Sequence, residues 1–130
     1  MLRLPKPVRG AIDAARRKAE RAALRACYAA VNVRDGCKCR VCGAAGPTCK
    51  ESTLAPLHHH HLVKRSLAPE RIADTSNVVL LCGGCHDKAH GLRPMLQLSG
   101  DADIRDHSGR LFGVNVLIVD GRNWKAGGWR

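Results

Sequence analysis

Residues 77–91 read NVVLLCGGCHDKAHG, and the change of pattern inside this stretch decides the fold. NVVLLC, residues 77–82, is an unbroken apolar run of strand length, which predicts a short buried strand. From Gly84 or Cys85 the residues CHDKAHG predict about two turns of helix, stopped by Gly91. His86 and His90 then stand at i and i+4, so both rings leave one helix face, as two ligands of one metal must. On its own that spacing is as readily a surface feature. Its weight comes from Cys85, directly before His86, because a metal knuckle there would fix the start and the direction of the helix.

Cys82-Gly-Gly-Cys85 has an upstream counterpart in Cys39-Arg-Val-Cys42. Two thiolates three residues apart on a tight turn supply half of a tetrahedral zinc site without strain, and two such turns complete it. Gly43 and Gly83-Gly84 let each turn close. A structural Zn²⁺ at Cys39, Cys42, Cys82 and Cys85 is therefore expected, the alternative being two redox pairs or buried free thiols. Cys37 and Cys49 are left outside the site, since a C-x-C pair such as Cys37 and Cys39 suits a tetrahedron less well, and Cys27 is assigned to the core. A closed four-thiolate site has no open position for substrate. Its use is to cross-link residues about 40 apart and to position what lies between them.

Between the two pairs lies LHHHHLVKRS, residues 57–66, with four of the seven histidines of the chain. The run is internal, which argues against a tag, and it lies on a predicted strand, residues 54–65, opposite the helix of His86 and His90. The wider composition bounds the reading. At 130 residues with 45% hydrophobic content, one compact domain is the simplest organisation. Tyr28, Phe112, Trp124 and Trp129 are the whole aromatic supply, too few to build a base-stacking platform. The formal charge is +11, and residues 1–40 hold eleven Lys/Arg against three acids while the remainder holds eleven against eight. The excess is thus mostly N-terminal and suits a polyanion, with a solvated arm as the plainer alternative. No signal peptide or membrane span is expected, the cytoplasm being the expected compartment, where an odd number of cysteines favours metal over disulfides.

Outside this centre, Met1–Arg9 reads as an extended basic arm and Gly10 to about Val31 as the clearest helix. Asp13 is placed to pair with Arg17, while Arg17, Arg21 and Arg25 form a basic stripe that suits a phosphate backbone. The chain after Pro94 reads as loop to Ser108. RLFGVNVLIVDGRNW then suggests a hairpin around Asp120 and Gly121, or a strand with a partner elsewhere. The expected segments are 1–34 (arm and helix), 35–91 (core) and 92–130 (C-terminal loop and β segment).

The order C-x-x-C, HH-x-x-x-R-S, N-V-V-L-L-C-x-x-C-H-x-x-x-H resembles the zinc-containing HNH endonucleases, whose core is the ββα-metal fold found also in colicin DNases and in a nuclease domain of RNA-guided effectors. The resemblance runs from about Asp35 to Gly91 and includes the nine residues from Asn77 to His86. It implies a small α+β fold with a ββα-metal core, a four-cysteine zinc knuckle, a basic N-terminal helix and a C-terminal β-hairpin or strand. It further implies that His61 is the general base, that His60, His86 and His90 hold a catalytic divalent ion, and that Asn77 aims His61 by holding the loop between the strands. Arg65 is the expected phosphate clamp. Double-stranded DNA is the implied substrate, contacted through Arg17, Arg21 and Arg25.

The chemistry supports these residue types independently. An imidazole can take a proton from water at pH 7, which Lys and Arg cannot, and a divalent ion stabilises developing negative charge on phosphate oxygens. Many relatives carry Asp where His60 stands and use Mg²⁺, so an all-imidazole set shifts the expected ion towards Mn²⁺, Ni²⁺, Co²⁺ or Zn²⁺. Strict strand alternation would send His60 and His61 to opposite faces, so the strand must end or twist there. By the same alternation His58 is a supporting or substitute ligand, while His59 is expected to be solvated or on phosphate. The flanks resemble small phage and prophage HNH proteins, which implies a bacterial host cell and phage terminase or packaging proteins as further partners. The competing readings are a zinc-stabilised DNA-binding or packaging-accessory module that does not cut, and a redox or metal sensor, which leaves Asn77 and His61 unexplained.

Overall fold

The computed structural model describes residues 9–46 and 56–119. The arm expected over Met1–Arg9 lies outside the described residues except for Arg9, which begins the first helix, and Cys49, the turn expected at Asp120-Gly121 and both tryptophans also lie outside them. Helix α1 spans Arg9–Asp35, β1 His58–His61, β2 Val78–Leu81, α2 Gly83–Ala89, β3 Met95–Gly100 and β4 Val114–Val119. Strands β1 and β2 pair antiparallel with His58 opposite Leu81 and His61 opposite Val78, and α2 follows at once, giving the ββα core. No described helix is long and apolar enough to cross a membrane.

All four residues of β2 are fully buried because the strand is covered on both faces. Val78 and Leu80 pack with Leu57 and with Cys27 and Val31, one turn apart on α1. Val79 and Leu81 face the other way, against Cys39, Cys85 and the β3 residues Leu96 and Leu98. Strand alternation converts this into a statement about the histidines. His58 and His60, opposite Leu81 and Val79, stand on the α2 face, whereas His59 and His61, opposite Leu80 and Val78, stand on the α1 face.

Three expectations are corrected. The helix runs four residues past Val31, ending at Gly36 (φ 63°), where the N–H groups of Gly36 and Cys37 donate to the carbonyls of Val33 and Asn32 and close the C-terminus. The first strand is only four residues long, because Leu62 onwards turns away to be held by Asn77. Residues 95–100, read from sequence as loop, form β3 and pair in register with β4, Met95 opposite Val119 and Gly100 opposite Val114. Strand β4 thus has its partner elsewhere than across Asp120-Gly121, as the second reading of the sequence allowed, and β3–β4 is the C-terminal hairpin. Gly100 (φ 104°) is required there, since a Cβ would stand 2.2 Å from the Gly113 carbonyl oxygen.

A buried ionic hub joins these layers. The Asp35 carboxylate, with no exposed side-chain surface, accepts from Arg34 Nε (2.8 Å), Arg40 Nη1 (2.9 Å) and the Leu80 backbone N–H (3.0 Å). Arg34 continues to Asp103 and to the carbonyls of Thr75 and Val78, and Arg40 to the Ala102 carbonyl. Removing the carboxylate would leave two nearly buried guanidinium groups facing each other. Asp35→Ala is expected to destabilise the fold by about 3–5 kcal/mol, measured by urea unfolding of the zinc-loaded protein. A loss below about 1 kcal/mol would mean the hub is solvated in solution.

Candidate active site

The four predicted thiols converge. Cys39, Cys42, Cys82 and Cys85 place all their sulfur atoms within 4.8 Å of one another, with Cys42 Sγ and Cys82 Sγ 3.6 Å apart. A tetrahedron with Zn–S bonds of ~2.3 Å has edges of about 3.8 Å, so the cluster has the size of a zinc site. Cys37 stands apart at φ 54° with its thiol directed to the Asn32 carbonyl, and Cys27 is buried in the core, as expected for both. The electrostatics of the cluster call for a cation. Burial opposes ionisation of Cys39, but the backbone N–H groups of Cys42, Cys82 and Val41 overcome it and bring the thiol down to about 7. Cys85 is pushed up, first by burial and then by the neighbouring Cys82 and Cys39 sulfurs. Four thiolates can share this volume only around a positive ion.

The knuckle fixes α2 directly. Cys82 is its N-cap, and its Sγ accepts from the Cys85 N–H (3.4 Å). One residue on, His86 and His90 project from the same face with Nε2 atoms 3.1 Å apart, close to the ~3.4 Å edge of a tetrahedral site with 2.1 Å bonds. His60 reaches across from β1, its ring edge-on to both at 5.7 and 5.3 Å between centroids, and the three residues bring ligand nitrogens within 4.8 Å of one another. His58 stacks flat on His86 (4.6 Å, 1°), bracing that ring. Burial and the neighbouring imidazoles hold His60 down at about 4, and the same causes lower His86. These rings therefore stay neutral, with free lone pairs, where an ordinary imidazole takes a proton.

His61 does not join this trio, being on the opposite face of β1. Its Nε2–H donates to the Ile72 carbonyl (2.8 Å), which selects the neutral tautomer with Nδ1 as the acceptor. Asn77, fully buried, holds the intervening loop at three points: its Oδ1 accepts from the Val63 N–H (2.8 Å), and its Nδ2 donates to the carbonyls of Val63 and Arg71. One cavity of about 620 Å³ is lined by His60, His61, His86, His90 and Arg65, with Leu96 and Leu98 of β3 forming its far wall. The two faces of β1 thus meet at one opening because the strand ends there.

Two local expectations fail. His59 is half-buried and engaged rather than free in solvent: its ring stacks on Tyr28 (4.0 Å, 4°) and its Nε2–H donates to Asn32 Oδ1 (2.6 Å). Asp13 pairs with Arg16, not Arg17 (3.6 Å), and among the described residues Arg17, Arg21 and Arg25 have no acidic partner. Arg17 and Arg21 instead edge a second groove of about 630 Å³, between α1 and the 65–73 loop, while Arg25 lies outside its lining. Arg65 lines both cavities, and its Nη2 donates to the Tyr28 hydroxyl (2.9 Å). Tyr28 and Asn32, spaced i, i+4 on α1, were not singled out from sequence. Only their shared helix face, next to buried Cys27 and Val31, hinted at contact with the histidine strand.

A ββα core with a four-thiol knuckle and a histidine trio defines a class. Residues 39–91 match the family model described as HNH endonuclease. The chain therefore carries an HNH endonuclease domain, from a family of phosphodiester hydrolases acting on DNA. All the histidines, cysteines and the asparagine of the site lie within that span, whereas Tyr28, Arg17, Arg21 and Arg25 precede it. Comparison with curated proteins and with solved structures returned no match.

Proposed function

We propose that this protein is a metal-dependent DNA endonuclease in which His61 is the general base. The observation that carries the reading is the 2.8 Å hydrogen bond from His61 Nε2–H to the Ile72 carbonyl, which in a neutral imidazole leaves Nδ1 as the acceptor, on a residue that lines one cavity with His60, His86, His90 and Arg65. A divalent ion held by His60, His86 and His90 would supply positive charge for the developing negative oxygens of the phosphodiester and for the departing 3′ oxygen. His61 takes the proton of the attacking water. Arg65 offers its remaining donors to a phosphate oxygen. Asn77 keeps the loop closed so that the Ile72 carbonyl stays under His61.

Three imidazoles without a carboxylate favour Mn²⁺, Ni²⁺ or Zn²⁺ over Mg²⁺. A structural Zn²⁺ fills the four-cysteine knuckle in this reading. Arg17 and Arg21, and more peripherally Arg25, contact the duplex backbone, adding sequence-independent, salt-sensitive affinity. A phage or prophage setting, with terminase or packaging proteins as partners, rests on the sequence resemblance of the flanks and is checked by gene neighbourhood.

The test is relaxation of supercoiled plasmid by zinc-loaded protein given Mg²⁺, Mn²⁺, Ni²⁺ or further Zn²⁺ in turn. Conversion to nicked or linear product with 5′-phosphate ends under at least one ion is expected, the product distinguishing nicking from double-strand cleavage. Salt-sensitive duplex binding with no cut under any ion would replace the proposal by the accessory-module reading.

A further inference from the structure

The α1 helix does more than cover β2. Tyr28 lies outside the matched domain, yet it touches both the histidine strand and Arg65. Its ring is stacked parallel on His59, its centroid stands 6.3 Å from that of His61, and its hydroxyl accepts from Arg65 Nη2. One turn later Asn32 receives the His59 ring N–H, so the helix grips β1 by one stack and one hydrogen bond. Arg65 is the residue at which the histidine cavity and the Arg17–Arg21 groove meet. An arginine at an exposed loop position has several rotatable bonds, and holding it at that junction costs conformational entropy unless something fixes it.

We infer that Tyr28 is a positioning residue for substrate binding: its hydroxyl fixes the Arg65 guanidinium at the junction of the two grooves, where it bridges the phosphate being cut and the neighbouring backbone on α1. The inference rests on the nuclease reading for the identity of the cut phosphate. The Arg65 to Tyr28 contact and its role in gripping a duplex can be tested without it. Tyr28 does not line either cavity, so it acts through Arg65. The helix that precedes the HNH domain thereby sets the affinity of a site whose chemistry lies within the domain.

Tyr28→Phe removes only the hydroxyl and keeps the ring stack on His59. It is expected to raise KM for a short duplex roughly three- to tenfold, as loss of one solvent-exposed hydrogen bond would, with kcat within twofold. Zinc content and melting temperature should match wild type, separating the effect from a fault in folding. Arg65→Ala should weaken binding further, and Tyr28→Phe added to it should have no additional effect, because the hydroxyl then has nothing to hold. The same four proteins are titrated against a fluorescein-labelled duplex by anisotropy before any catalytic ion is added. If the two changes multiply, or if Tyr28→Phe leaves both KM and duplex affinity unchanged, the inference is wrong. If they fail to multiply in binding but wild type cuts under no ion, the nuclease reading falls and the positioning role stands.

Discussion

His61→Ala should lower the rate of plasmid cutting by roughly 10²–10⁴-fold, the range for loss of a positioned general base, while zinc content and duplex affinity stay at wild-type levels. The structure gives reasons to expect so clean a separation. The backbone of His61 remains paired with Val78, and the side chain makes a single hydrogen bond, to a carbonyl that water can satisfy once the ring is gone. The trio of His60, His86 and His90 stands on the other face of β1 and does not depend on the His61 ring. The loss should therefore appear in kcat with KM nearly unchanged. His61→Ala cutting within a few fold of wild type would assign the proton to another group, and the Ile72 tether would then be structural.

Asn77 provides the contrast. It has no exposed surface and makes three hydrogen bonds across the loop, so Asn77→Ala removes support from the whole 61–72 segment as well as from the base. Activity lost there would say nothing about chemistry, which is why His61 is the informative position. The same distinction governs the histidine run. His59 and His61 share a face, but His59 is locked between Tyr28 and Asn32 and is spent on packing, whereas His61 keeps a free nitrogen.

The parts of this arrangement that were legible in sequence are those written in short spacings. Cys39/Cys42, Cys82/Cys85 and His86/His90 each place two ligands on one turn, and a turn's geometry is local. Alternation along 58–61 was also legible, including the opposed directions of His60 and His61. What escaped is non-local or masked by polar neighbours. In β3 only Leu96 and Leu98 are buried, and a two-residue alternation flanked by Pro94 and Gly100 reads as loop until β4 is seen beside it. The Asp35 hub joins residues up to 69 positions apart through side chains that in sequence look like solvated charges. Tyr28 was given no role from sequence because its contacts, His59 and Arg65, lie 31 and 37 positions away.

Cys82→Ser should have the largest effect on the fold, and its logic follows from the double use of that sulfur. A serine oxygen caps a helix N-terminus well, so the cap on α2 survives the change. What is lost is one of four thiolates. Three sulfurs leave one corner of the tetrahedron that Cys39, Cys42, Cys82 and Cys85 frame without its thiolate ligand. Zinc binding, which in small zinc domains contributes on the order of 10–16 kcal/mol at neutral pH, should then fail. Zinc held by the knuckle should fall from near one per chain to near zero, the cooperative melting transition should be lost, and a chelator should unfold the wild type in the same way. Binding requires the thiols to release protons, so zinc affinity should weaken as pH falls from 8 to 6. Cys37→Ser, which touches none of the four sulfurs, should melt like wild type. If Cys82→Ser stayed folded in chelator with its plasmid-cutting rate intact, the knuckle would be dispensable, and the packing of β2 between α1 and β3 would alone have to hold His86 and His90 opposite His60.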